Sequence, residues 1–189
     1  IEFDIFRNGE LVGKHKVNFG YEKNNQIRVI SEMQLEVKIF GLSVYKYKYK
    51  CEAYWQGDRL LRLEAIQDDD GSESAVKAEL FGAVTNIEGP EGTVRVSGSL
   101  FPSNHWHPGV LAANSIIDTL TGNIARVNIQ NAGTEIIEAE GRRVRARKFV
   151  YSGDVDATAW YDSFGRWTKL QFLAKGDSSI EYHCVECGI

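Results

Sequence analysis

Hydrophobic and polar residues alternate along most of the chain, and this period of two predicts strands. Ile1 to Arg7 and Leu11 to Phe19 flank Asn8-Gly9, a pair that accepts positive φ and predicts a hairpin with a type I′ turn. In the next run Ile27, Val29, Met33, Leu35, Val37 and Ile39 fall on one face, which only Ser31 interrupts. Arg28, Glu32, Gln34, Glu36 and Lys38 fall on the other. After Gly41, a face of Tyr45, Tyr47, Tyr49, Cys51, Ala53 and Trp55 opposes Lys46, Lys48, Lys50 and Glu52. Turns at Gln56-Gly57-Asp58, Asp68-Asp69-Asp70-Gly71 and Gly89-Pro90-Glu91-Gly92 divide further strands over 60–67, 75–81, 84–88 and 93–100.

Only one segment carries helical spacing. Pro108 suits a first turn, Val110, Ala113, Ile117 and Leu120 follow at helical intervals, and Gly122 suits a stop. Strands then follow over 124–130, 134–138, 143–151, 157–161, 167–174 and 179–185. Gly141, Gly153, Gly165 and Gly176 punctuate them at intervals of 11 or 12 residues. A strand of 13 residues spans roughly 43 Å, about the full diameter (~40 Å) of a compact chain of this length. Such strands must bend around something. The expected fold is mainly β: a strongly curved antiparallel sheet or open half-barrel of about 10–12 strands with one short helix as plug or lid. It forms a single β-rich domain over 1–189.

Composition alters this picture little. The 189 residues are 43% hydrophobic and 25% charged, with 18 Gly and three Pro, enough for one sizeable core. The net charge of −4 gives no reason to expect a nucleic-acid partner. No apolar run reaches the ~20 residues of a membrane-spanning helix. The chain starts at Ile1 and its only methionine is Met33, so a preceding segment, a signal peptide among the candidates, is expected to have been removed. Three cysteines are too few for a disulfide framework.

Five segments could carry chemistry. His105 and His107 flank Trp106 in a loop before the expected helix and could bind a metal or move a proton, although two ligands do not close a site. The plainer reading is a loop that Trp106 anchors to the sheet. Cys184-Val185-Glu186-Cys187 is a lone C-x-x-C on no helix that could be redox-active or half of a zinc site, and the plainer reading is strand filler with a tail. Tyr45, Tyr47, Tyr49 and Trp55 stand on one face and could line a cavity for an amphipathic ligand, or simply pack the core. Arg143, Arg145 and Arg147 share a face that could attract phosphate, a lipid head group or an acidic glycan, or lie solvated beside acidic strands. Asp156 and Asp162 could supply paired carboxylates, yet Asp162-Ser163-Phe164-Gly165 also reads as a hairpin turn.

The order of segments is similar to that of an uncharacterised family of exported proteobacterial proteins. The similarity lies in Phe3-Asp4-Ile5-Phe6-Arg7-Asn8-Gly9 with Val12-Gly13-Lys14-His15, in Trp106-His107-Pro108, and in Gly153-Asp154-Val155-Asp156 through Trp160-Tyr161-Asp162 to Gly165-Arg166. The family's architecture resembles that of the LolA/LolB-type lipoprotein carriers, in which a curved sheet with a helical lid holds acyl chains. The resemblance implies a periplasmic location, a lipid or other hydrophobic ligand, and either an oxidised Cys184–Cys187 pair or a bridge from Cys51 to one of them.

The leading expectation is therefore a non-enzymatic envelope protein. It would hold a hydrophobic molecule against Tyr45, Tyr47, Tyr49, Trp55, His105, Trp106 and His107, with no metal or cofactor. The alternatives are an envelope scaffold that docks a protein partner, and an enzyme using His105 or His107 with Asp156 or Asp162.

Overall fold

The computed structural model describes residues 1–174 and 176–188. Among these the first eight strands are β1 Glu2–Arg7, β2 Glu10–Glu22, β3 Gln26–Ile39, β4 Leu42–Gln56, β5 Arg59–Asp69, β6 Ser72–Phe81, β7 Val84–Gly89 and β8 Gly92–Ser97. The remainder are β9 Phe101–Pro102, β10 Ser115–Ile117, β11 Ile124–Ala139, β12 Arg142–Gly153, β13 Ala157–Tyr161, β14 Trp167–Ala174 and β15 Ser178–Glu186.

All lie in one 15-stranded sheet, ordered β8-β7-β6-β5-β4-β3-β2-β1-β15-β14-β13-β12-β11-β10-β9. Two meanders thus meet at the central β1·β15 pair, where Phe3 opposes Cys184 and Ile5 opposes Tyr182. Every pairing is antiparallel except that of β9 with β10. The end strands β8 and β9 are not paired with each other, so the sheet curls without closing. This is the curved antiparallel sheet that the alternation predicts, with more strands than expected.

Alternation explains the core. The inward positions of β4, Tyr47, Tyr49, Cys51, Ala53 and Trp55, are all buried, and Lys46, Lys48 and Lys50 between them are exposed. Together with Phe3, Ile5, Tyr151, Tyr161 and Trp167 they fill the hollow of the curl. On the opposite face Arg28 forks onto Glu52 with both bonds at 2.9 Å, and Lys50 pairs with Glu32.

The expected helix is corrected. Pro108 does start a turn, but it is a 3-10 turn that ends at Ala112, and Ala113 is already extended (φ −81°, ψ 148°). Two physical reasons account for this. One turn is too short to carry the cost of helix nucleation. The β-branched Ile116 and Ile117 are better served as strand β10, paired with Ala125 and Ile124 of β11. Of the four residues at helical spacing, Val110 and Ile117 are buried, Ala113 is half-buried and Leu120 is exposed, so they do not form one helical face.

The segment over 99–123 still acts as a plug. It runs across the hollow, fastened to the first meander by Ser99, which accepts from Leu60 N (2.9 Å), and by Gln67 Nε2, which donates to Leu120 O (3.2 Å). The Asn123 side chain donates to Glu91 (2.6 Å). Gly89 lets the strap come close: a Cβ there would stand 2.3 Å from Thr121 O.

Candidate functional site

The strap brings the aromatic face of β4 together with the loop before the 3-10 turn. Trp55 is fully buried, stacked on His107 (centroids 5.1 Å, 21°) and on Phe101 (5.8 Å, 29°), with Trp106 against its edge (5.4 Å, 84°). Phe19 closes over Trp106. Tyr49 places its hydroxyl 2.9 Å from Thr119 Oγ1 and 3.2 Å from Asn104 Oδ1, and burial raises its pKa well above the ordinary value. Tyr47 is buried too and donates to Gln67 Oε1 (2.9 Å). Tyr45 lies half-buried nearer the hairpin end, its phenol pushed up to about 12 by burial and by Asp69.

His105 and His107 diverge. His107 Nδ1 accepts from Gly109 N (3.0 Å) and caps the 3-10 turn, which leaves the proton of the neutral ring on Nε2, 3.4 Å from Asp58 Oδ1. Burial lowers its pKa, and Asp58 partly offsets the effect. His105 turns the other way, into the second meander, with its ring edge-on to Tyr151 (5.3 Å) and beside Trp167 (5.6 Å). Its main-chain carbonyl accepts from Tyr161 OH (2.8 Å), and burial pushes the ring down to about 4. The two rings are therefore not arranged as a metal-binding pair. Among the described residues no group of three His, Cys, Asp or Glu side chains is set to hold a metal.

The carboxylates expected to work with them are engaged elsewhere or remote from the loop's bonds. Asp162 is buried and accepts from Phe164 N, Arg166 N and Arg166 Nε, with Arg166 Nη2 at 2.6 Å. It is the turn residue that its sequence context suggests. Asp156 is exposed. Among the described residues no hydrogen bond or ion pair joins either carboxylate to His105 or His107.

Sequence reasoning passed over a second polar cluster deeper in the curl. His15 on β2 is buried with Nε2 2.6 Å from Ser31 Oγ on β3, packed against Trp167 (5.6 Å) and Tyr182 (5.6 Å). Burial, reinforced by nearby His105, pushes its ring down to about 3. Tyr182 reaches Met33 Sδ at 2.9 Å. The signal was present: Ser31 is the single polar break in an apolar face, and His15 alternates with Val17 onto the same side. Buried polar atoms without a partner gather here and under the strap: His15 Nδ1, His105 Nδ1, Trp55 Nε1 and Trp106 Nε1.

Outside the curl, Arg143, Arg145 and Arg147 form an exposed face, and Arg143 stands opposite Glu138. A groove of about 300 Å³ lies over Glu52, Tyr54, Arg62 and Lys77 on the outer side of β4–β6. Cys184 and Cys187 form a disulfide, buried where Glu140 N donates to Cys184 O, and Cys51 is a buried free thiol.

Residues 3–185 match a domain family of unknown function, DUF6134. The chain belongs to that family. Its fold is similar to the crystal structure of a β-barrel-like protein of the domain of unknown function DUF1849 from Brucella abortus. That similarity has a TM-score of 0.65 over 98% of this chain and 94% of that one, at 10% identity. Likeness at this identity speaks for the fold alone. No curated protein matches the sequence. Among the described residues no helix is long and apolar enough to cross a membrane.

Proposed function

We propose that this DUF6134 chain is an exported, non-enzymatic structural component of the bacterial cell envelope that works by docking. The observation that carries this reading is the contrast between inside and outside. The hollow of the curl is filled by the chain's own Phe3, Trp55, Tyr151, Tyr161 and Trp167, whereas large apolar side chains stand exposed at the end of the β3–β4 hairpin. A carrier shows the reverse, with apolar groups lining a space and polar groups around it. The Cys184–Cys187 disulfide supports an oxidising compartment such as the periplasm. Asp162 is committed to Arg166, and the one carboxylate beside a loop histidine, Asp58 at 3.4 Å from His107 Nε2, stands at the solvent-exposed edge and not in an enclosed cleft.

A second reading, a small amphipathic ligand under the strap, draws on the unpartnered atoms of His105, Trp55 and Trp106. Native mass spectrometry of the chain purified from a bacterial periplasm separates the two. The docking reading expects the bare mass less two hydrogens for one disulfide. A stoichiometric organic adduct, released by solvent extraction, overturns it in favour of a ligand held against Trp55, His105 and Trp106.

A further inference from the structure

We propose that the β3–β4 hairpin is a lipid-docking finger, whose tip Ile39-Phe40-Gly41-Leu42-Ser43-Val44 inserts into the interfacial layer of a phospholipid membrane with Lys38 and Lys46 among the phosphates. It rests on the docking reading above and names what is docked on.

The finger protrudes beyond β5, and on its other flank Val37, Lys38 and Ile39 share a groove with Arg7, Asn8, Glu10 and Val12 of the β1–β2 hairpin. Ladder pairing of β5 with β4 stops at Tyr47↔Asp69, with Asp70 N donating to Lys46 O (2.9 Å) as the last link. On the other flank, pairing of β2 with β3 stops at Gly13↔Leu35. Residues 37–45 therefore ladder-pair only with one another, and the four steps from Lys46 to Leu42 carry the tip roughly 13 Å beyond the last link to β5. Phe40 is fully exposed, Leu42 is 71% exposed and Ile39 54%.

The turn residue is the second observation. Phe40 sits at φ 50° and Gly41 at φ 80°. The equivalent tight turns elsewhere place Asn8, Asp70 or Glu140 before glycine, and Phe40 is the one apolar side chain among the described non-glycine residues at positive φ. An aromatic ring there strains the backbone and leaves the ring in water. Both costs weigh against it unless the ring has a use outside the fold.

A fluid lipid interface fits this tip better than a protein does. Stable protein interfaces bury roughly 800 Å² per partner over some 20–30 residues, and the end of a two-stranded finger offers a handful. Interfacial insertion needs no complementary shape and reaches about 5–10 Å deep, within the length of the finger. Behind the apolar tip stand Lys38 and Lys46, which share one carboxylate, Glu36, at 3.1 and 4.0 Å. Tyr45 lies at the same level, so apolar groups give way to cations and a phenol in the order that acyl chains give way to head groups. Asp68, Asp69 and Asp70 sit one step further back, so the tip's apolar surface and not net charge drives docking.

The test is flotation of the purified chain with vesicles of phosphatidylcholine, alone and mixed with phosphatidylglycerol, at low and high salt. The wild type is expected to float with both. Phe40→Asn is expected to weaken partitioning about tenfold or more, while its melting temperature rises because asparagine accepts positive φ. Tyr21→Ser, which removes an equally exposed ring at the other end of β3, is expected to change nothing. Wild type that fails to float, or Phe40→Asn that floats as well, overturns the proposal. So does binding confined to phosphatidylglycerol and abolished by salt. None of these results touches the bare native mass expected above, so the two readings fall separately.

Discussion

His15 Nε2 lies 2.6 Å from the hydroxyl of Ser31, across two adjacent strands and against the rings of Trp167 and Tyr182. The contact fixes one polar atom on each strand where no water competes, so it strengthens the β2–β3 register as well as satisfying both groups.

Ser31→Ala leaves a buried imidazole with neither nitrogen bonded. The expected cost is about 1–3 kcal/mol, read as a lower urea midpoint with unchanged slope. The double variant His15→Leu/Ser31→Ala should cost clearly less than the sum of the single changes, because the unsatisfied ring is gone.

Acid should unfold the protein earlier than carboxylate titration alone would. The rings of His15 and His105 are pushed down to about 3 and about 4 in the fold, from 6.5 in the open chain. Above pH 6.5 both states hold them neutral and stability is undiminished. As pH falls from 6.5 towards 4 the unfolded chain binds protons that the folded one refuses, and stability drops by at most about 2.7 kcal/mol per pH unit for the pair. Chemical denaturation at pH 7, 6, 5 and 4 checks this, and His15→Gln should flatten the decline.

Gly89→Ala forces a methyl group to 2.3 Å from Thr121 O, a backbone atom that cannot swing away. The strap must lift, at a cost of about 1–3 kcal/mol. Hydrogen exchange should show loss of protection centred on 115–127 and on β7, with β1 and β15 little changed.

Cys51 is buried, and burial pushes its thiol up to about 11. Native protein should not react with a maleimide at pH 7. One thiol should label in denaturant, and three should label after reduction.

The alternating face of β4 made its buried set legible residue by residue, from Tyr47 to Trp55. Asn8-Gly9 likewise marked its turn. The region over 108–120 was not legible, because four apolar residues at helical spacing look alike whether they lie on a helix or on a crossing strap, and only the partner strand β11 decides. The loop histidines were legible as a place and not as a pair, since an i, i+2 spacing says nothing about which meander each ring enters. His15 escaped notice because its partner lies 16 residues away.

The seam where β1 meets β15 has a consequence for how the molecule comes to exist. The strands furthest apart in the chain stand side by side at the middle of the sheet, with Glu2 opposite Glu186. A chain delivered from its N-terminus, by ribosome or translocon, presents β1 with one bare edge until the last segment arrives. Assembly of the sheet therefore waits on β15, the last of the fifteen strands to emerge, and joining it to β1 requires the longest loop closure the sheet contains. Until then each meander is an open-edged ribbon, the state most exposed to pairing with a stranger.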